Sequence, residues 1–177
     1  MRWMWIDSIV TYEPDARLVA IRNVTLGEEH LHDHFAADRA PNGAERPAAP
    51  IMPGCFLLEG MAQTAGVLVG SVNRFQEKVV LAKIASATLT DDVGPGDTVR
   101  YDARIVRIDA GGAVTEGTVE VRRAGRDTWD ALGSIELMFS HLDQNMGGVT
   151  FPEENFVFSD NFRMILRAAG LDELASA

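Results

Sequence analysis

Between Pro47 and Asn73 the chain runs for 27 residues with one formal charge, Glu59. At the overall charged fraction of 24%, a stretch that long would carry about six or seven. From Cys55 to about Gln76 the apolar residues do not keep to one stripe. Phe56, Leu57, Leu58, Met61, Ala62, Ala65, Val67, Leu68, Val69 and Val72 fall nearly all round a 3.6-residue period. A helix of that kind is stable only with other structure wrapped around it. Gly60, Gly66 and Gly70 point the same way. Each costs about 1 kcal/mol against alanine in a helix, and is kept where a neighbour approaches very closely. A membrane would be another way to cover such a helix. The uncharged pieces on either side of Glu59 are only 12 and 14 residues long, and a spanning helix needs about 20. Pro50 and Pro53 also interrupt the first piece. The expectation is a soluble, cytoplasmic chain with no membrane partner.

The rest of the chain must supply the wrapping, and it reads as strands. Trp5–Tyr12 and Arg17–Thr25 are strand-like, with Glu13-Pro14-Asp15-Ala16 as the turn between them. After the helix the period changes to two. Val79–Leu89 is a long β-rich run, and Gly94-Pro95-Gly96-Asp97 is a turn. Val99, Tyr101, Ala103 and Ile105 then alternate with polar residues, with a slip of phase at Val106 that predicts a bulge. Gly117, Val119 and Val121 form a further alternation after a turn at Asp109–Gly112. Trp129, Ala131, Gly133, Ile135, Leu137 and Phe139 form the last, after a turn at Ala124–Asp127. Residues 36–50, with three prolines and an Asn-Gly, read as loop, and Phe162–Ala175 as a short terminal helix. The layout is α+β: an antiparallel sheet with one long helix to cover. At 177 residues the chain holds one domain over 1–140, with an insertion at about 36–49 and a C-terminal extension over 141–177. A net charge of −10 argues against nucleic-acid binding, which needs a positive field. The single cysteine, Cys55, precludes an internal disulfide.

Four groups of residues carry chemistry. Burying Glu59 as an ion costs several kcal/mol, so its pKa is expected to rise well above 4.3, toward a neutral acid able to donate a proton. Gln63 lies one turn later on the same face and can hydrogen-bond it. The alternative is a carboxyl satisfied structurally, by a backbone amide or a subunit contact. Pro53-Gly54 precedes the helix, whose first N–H groups have no internal partner. Gly54 leaves them open to an acyl carbonyl; the alternative is a turn that only starts the helix. His30, His32 and His34 would share one face of a strand and could bind zinc, or could be a polar surface segment. Cys55 is either a small buried side chain at the helix start or a reactive thiol.

His34-Phe35, followed by Pro50-Ile51-Met52-Pro53-Gly54-Cys55-Phe56-Leu57-Leu58-Glu59-Gly60-Met61-Ala62-Gln63, resembles the 3-hydroxyacyl-acyl-carrier-protein dehydratases of fatty-acid synthesis. Arg22-Asn23-Val24-Thr25 and Val93-Gly94-Pro95-Gly96-Asp97 fit the same pattern, so the resemblance extends over about residues 5–140. It implies a hot-dog fold, a curled antiparallel sheet wrapped around one long central helix. It implies a homodimer, or a trimer of dimers, in which each site joins the histidine of one subunit to the acid of the other. His34 would take the α-proton and Glu59 of the partner subunit would protonate the departing 3-hydroxyl. Gly54 would polarise the thioester carbonyl, with Pro53, Cys55, Gln63 and Phe35 lining the substrate site. No cofactor and no metal are implied. The product would be a trans-2-enoyl thioester on acyl carrier protein, or on coenzyme A. An ordinary histidine, with a pKa of about 6.5, suits the base role.

The chain departs from that family's pattern at three places. Ala36-Ala37 replaces the Pro-Gly after His-Phe, about 11 extra residues separate His34 from Pro53, and the tail beyond His141 is additional. Cys55 resembles the dehydratase–isomerase branch, whereas Glu59 in place of aspartate points to the dehydratase-only branch. The alternatives are another hot-dog acyl-thioester enzyme, a thioesterase or enoyl-CoA hydratase, and a non-catalytic acyl-binding subunit. An acidic carrier protein would need a basic patch, for which Arg74, Lys78, Lys83, Arg100 and Arg104 are the candidates.

Overall fold

A computed structural model describes residues 3–142, 157–158 and 160–176. Its centre is α2, Gly54–Val72. Pro53 precedes the helix at its N-cap, where its fixed φ and missing N–H cost nothing. The helix stops at Val72, short of Gln76, because the backbone turns left-handed at Arg74 and Phe75. The Phe75 amide bonds back to the Gly70 carbonyl at 2.8 Å and the Arg74 amide to Ser71 at 3.1 Å. This is a Schellman stop built without glycine at its left-handed position.

Six strands cover the helix. They are β1 Ser8–Glu13, β2 Arg17–Asn23, β5 Lys78–Leu89, β6 Thr98–Asp109, β7 Gly112–Arg122 and β8 Asp130–Leu142. The order across the sheet is β1-β2-β6-β7-β8-β5 and every pairing is antiparallel. β6, β7 and β8 form a meander, and β5 joins at the far edge beside β8. α2 packs against β2, β5, β6, β7 and β8, so the sheet curls around it in the hot-dog arrangement. By length and composition α2 could cross a bilayer, but two thirds of it (67%) is buried inside the protein; its apolar character is that of a core.

Helix and sheet interlock through glycines. The Tyr101 ring of β6, 0% exposed, lies where a Cβ on Gly60 would stand. Reciprocally, the Met61 side chain fills the space beside Gly117 on β7. The bulge predicted at Val106 is present as a register shift between Ile105 and Arg107. A second slip, between Val119 and Glu120, corrects the reading of β8. Leu132 is buried there and Ala131 is exposed, so the inward alternation begins at Leu132 and resumes at Ile135. At the slip the Thr90 amide and hydroxyl both donate to the Leu132 carbonyl.

Three further expectations change. Residues 36–50 contain a small hairpin, β3 Asp38–Arg39 and β4 Glu45–Arg46. Its polar strands carry no hydrophobic period; cross-strand pairs Arg39–Glu45 and Arg46–Asp38, with Gly43 at φ +82° in the turn, hold it instead. His30–Asp33 is a single helical turn, α1, and not a strand. The terminal helix is two pieces, α3 Asp160–Ala168 and α4 Asp172–Ala175, divided by Gly170 at φ +74°. Much of the extension expected over 141–177 lies outside the described residues.

Candidate functional site

His34 follows α1 and stands beside Ile51, on the approach to α2. The extra residues between His34 and Pro53 leave and return at one pinched base. Phe35 and Ala49 exchange both backbone hydrogen bonds, at 2.8 and 2.9 Å, and the Ile51 amide donates to the His34 carbonyl at 2.8 Å. The hairpin therefore projects outward while His34 stays bonded to Ile51, three residues before Gly54. Its Nδ1 lies 2.7 Å from the Ile51 carbonyl oxygen. A carbonyl only accepts, so Nδ1 carries the proton and Nε2 is the basic nitrogen. The Phe35 ring stacks on the imidazole at 4.3 Å between centroids and is itself 56% exposed.

The Met52 amide bonds to the Val93 carbonyl at 2.7 Å, which fixes the approach to α2. Within the first turn the Phe56 amide is taken by Pro53 at 2.9 Å. Gly54 and Cys55 stand ahead of it, where a helix offers no internal acceptor. Both are exposed. This corrects the reading of Cys55 as a small buried side chain: it sits on the first turn's outer face. A Cβ on Gly54 would meet only Leu89 Cδ1, at 3.7 Å. Thr90, Asp91 and Asp92 line a surface hollow together with Gly54, and Asp91 is paired with Arg123.

Glu59 is half-buried and lines a cavity of about 280 Å³. The stripe of α2 facing this cavity is Glu59, Ala62, Gln63 and Gly66, at i, i+3, i+4 and i+7. Gln63 is buried and its amide is oriented by the chain's N-terminal arm. Its Oε1 accepts the Trp5 amide at 2.9 Å, and its Nε2 donates to the Trp3 carbonyl and to Glu59 Oε1, both at 2.9 Å. With both amide protons used, Gln63 holds one carboxyl oxygen of Glu59 and leaves Oε2 free of that bond. Trp5 is locked in turn by stacking on Phe56, with centroids 4.0 Å apart and planes at 15°.

Sequence reasoning missed the two tryptophans as positioning residues. Backbone hydrogen bonding gives no side-chain signal, and only the density of Trp3 and Trp5 near the start marked that arm. It also missed Val157, Phe158 and Phe162, which wall the cavity; the spacing of Phe158, Phe162 and Leu166 was the available clue. The three histidines are not brought together. His30 packs edge-on to Trp5 and Phe56, His32 is exposed, and His34 is held by Ile51. Among the described residues no three His, Cys, Asp or Glu side chains are grouped to hold a metal ion. The basic patch also fails in part, since Lys78 is buried and Arg100 is paired with Glu120 at 2.6 Å.

The FabA-like domain model matches residues 2–124. A similar curated protein is the 3-hydroxyacyl-acyl-carrier-protein dehydratase FabZ of Solibacter usitatus (strain Ellin6076), 36% identical over 121 residues, which are 67% of each chain. Among solved structures, the dehydratase heterocomplex ApeI:P from Xenorhabdus doucetiae aligns with a TM-score of 0.56 at 14% identity, covering 80% of this chain and 84% of that one. The hexameric thioesterase y2039 from Yersinia pestis aligns at 0.54 with 15% identity, covering 80% and 98%. At such identities these structures establish the hot-dog fold and nothing about the reaction. The matched segment contains His34, the Pro53-Gly54 start of α2, Glu59 and Gln63, and the chain belongs to the FabA-like family.

Proposed function

We propose that this protein is a 3-hydroxyacyl-thioester dehydratase of fatty-acid synthesis, a hydro-lyase that works as a twofold dimer. One observation carries the reading: the His34 imidazole is bonded through Nδ1 to the Ile51 carbonyl on the approach to α2, which leaves Nε2 as the nitrogen able to act as a base. The relationship to FabZ proteins supplies the reaction class. The thioester carbonyl oxygen, on which charge gathers as C2 loses its proton, accepts from the Gly54 amide. His34 Nε2 takes the proton from C2. The C2–H electron pair becomes the C2=C3 double bond, and the C3–O bond breaks. The partner subunit's Glu59 gives its proton to the leaving hydroxyl, which departs as water. Gln63 positions that carboxyl. Pro53, Phe35 and Cys55 border the path of the substrate arm.

The edge of the sheet supports the dimer. β5 is an outer strand of 12 residues whose length from Leu81 to Thr88 is exposed, with Leu81 at 39% and Ile84 at 43%. A long apolar edge invites pairing with another strand. A second copy paired along β5 would cover it, and Leu81 also lines the Glu59 cavity, so the cavity lies at that seam. The carrier is acyl carrier protein, with coenzyme A as the second possibility.

Purified protein supplied with a 3-hydroxyacyl thioester should develop enoyl absorbance. His34→Ala and Glu59→Gln should each lower kcat by at least about 100-fold, the usual weight of a general acid or base. Unchanged turnover in either variant overturns the assignment. Release of free thiol without enoyl formation identifies a thioesterase instead, an activity that other proteins of this fold carry.

A further inference from the structure

The Glu59 cavity has an end, and the end comes from outside the matched family domain. Its long walls are the Glu59–Gly66 stripe of α2, Val79–Leu81 of β5 and Phe139 of β8. Beyond Gly66 the same stripe reaches Gly70, and there the space is taken. A Cβ on Gly70 would lie 2.6 Å from Phe158 Cζ. Phe158 is buried and is braced by Phe75, 4.6 Å between centroids, and by Phe162 at 6.0 Å. Phe162 and Leu166 are buried faces of α3, so a helix anchors this wall. Val157, Phe158 and Phe162 all line the cavity, and all lie beyond residue 124, where the FabA-like match ends.

We infer that this C-terminal segment is a length stop for the acyl chain, making the site selective for short and medium straight-chain acyl groups. The inference rests on the proposed dehydratase reading only for placing the reacting carbons at Glu59. From Glu59 to Gly66 is seven residues of helix, about 10 Å at 1.5 Å per residue. An extended alkyl chain, with C–C bonds of about 1.5 Å, advances about 1.25 Å per carbon, so about eight carbons fit alongside. With C3 of the substrate at Glu59, acyl groups to about ten carbons are accommodated. Chains of fourteen and sixteen carbons meet Phe158. Among the described residues the lining is apolar apart from Glu59 and Gln63, as a hydrocarbon occupant requires.

The test reads binding apart from catalysis. Saturated acyl-pantetheine thioesters of four to sixteen carbons, lacking the 3-hydroxyl, are titrated into the full-length protein by calorimetry. Affinity should rise about fourfold per added methylene, peak near ten carbons and fall at fourteen. Phe158→Ala should move the peak to longer chains. Gly66→Leu should move it to shorter ones; at Gly66 a Cβ stands at an ordinary 3.6 Å from Phe139, so the helix position tolerates a side chain. Affinity that climbs through sixteen carbons in the natural protein overturns the inference. So does a peak that stays put in Gly66→Leu, which keeps the test decisive should Phe158→Ala fail to fold. Absence of binding at every length also overturns it. A length peak without any dehydration would leave the stop standing and remove the dehydratase assignment.

Discussion

Two glycines on the same helix should respond in opposite directions to the same substitution. At Gly66 a Cβ meets Phe139 at 3.6 Å, an ordinary contact. Gly66→Ala therefore gains the intrinsic helix preference of alanine, about 1 kcal/mol. At Gly60 a new Cβ would overlap the Tyr101 ring at Cζ and Oη and stand 2.7 Å from Cε2. That ring is fully buried on β6, and α2 packs against β6, so it has nowhere to retreat without moving helix from sheet. Overpacking of this kind costs about 1–3 kcal/mol, and a more rigid site costs more. Set against the same propensity gain of about 1 kcal/mol, Gly60→Ala should be destabilising by up to about 2 kcal/mol. The two variants should differ by about 1–3 kcal/mol. Urea unfolding at one fixed protomer concentration measures it, because the proposed dimer would make stability concentration-dependent. If Gly60→Ala is as stabilising as Gly66→Ala, the tight seating of Tyr101 on α2 is wrong, and with it the register of the central helix in the sheet.

Two other predictions concern charge. Asp97 is 8% exposed and accepts from the Gly94 and Ala124 amides at 3.1 and 3.0 Å and from Arg123 at 2.9 Å. Asp97→Ala strands those donors and should cost about 2–3 kcal/mol by denaturant unfolding, whereas Asp38→Ala, which breaks the exposed pair with Arg46 on the hairpin, should cost less than about 0.5; equal losses would contradict the distinction. Burial pushes the Tyr101 phenol well above its ordinary value, Asp7 and Glu28 add to the rise, and Arg22 opposes it. The native state thus holds this proton more tightly than the unfolded chain. Stability should be complete below about pH 10 and fall above it by up to about 1.4 kcal/mol per pH unit; Tyr101→Phe should remove that part of the fall, and an unchanged alkaline slope would refute it.

Much of the fold was legible because period and covering agree. The all-round apolar helix required a wrap, and the alternating runs supplied one, down to the bulge at Val106. The slip at Leu132 was not legible. Trp129 and Ala131 continue the apolar phase by composition, and the interruption is imposed by pairing with β7 and by the Thr90 bonds to Leu132. The small hairpin was hidden for a similar reason, since ion pairs across a turn leave no hydrophobic period. At the site, the Glu59–Gln63 bond followed from helix spacing alone. The pinning of His34 by Ile51 did not, because it joins residues on either side of an insertion whose path no local rule describes. Half-burial of Glu59 in one chain also differs from the full burial its isolation implied, and pairing along β5 would supply the remaining cover.

The central claim is that each site takes its base from one protomer and its acid from the other. Mixing subunits tests it directly. His34→Ala and Glu59→Gln proteins, each inactive alone, are denatured together in equal amounts and refolded. Half of the dimers should then be mixed, and each mixed dimer pairs one intact His34 with one intact Glu59 across the twofold axis, so about a quarter of the natural activity should return. A mixture as inactive as its components, with mixed dimers demonstrated by mass spectrometry, would contradict the shared site.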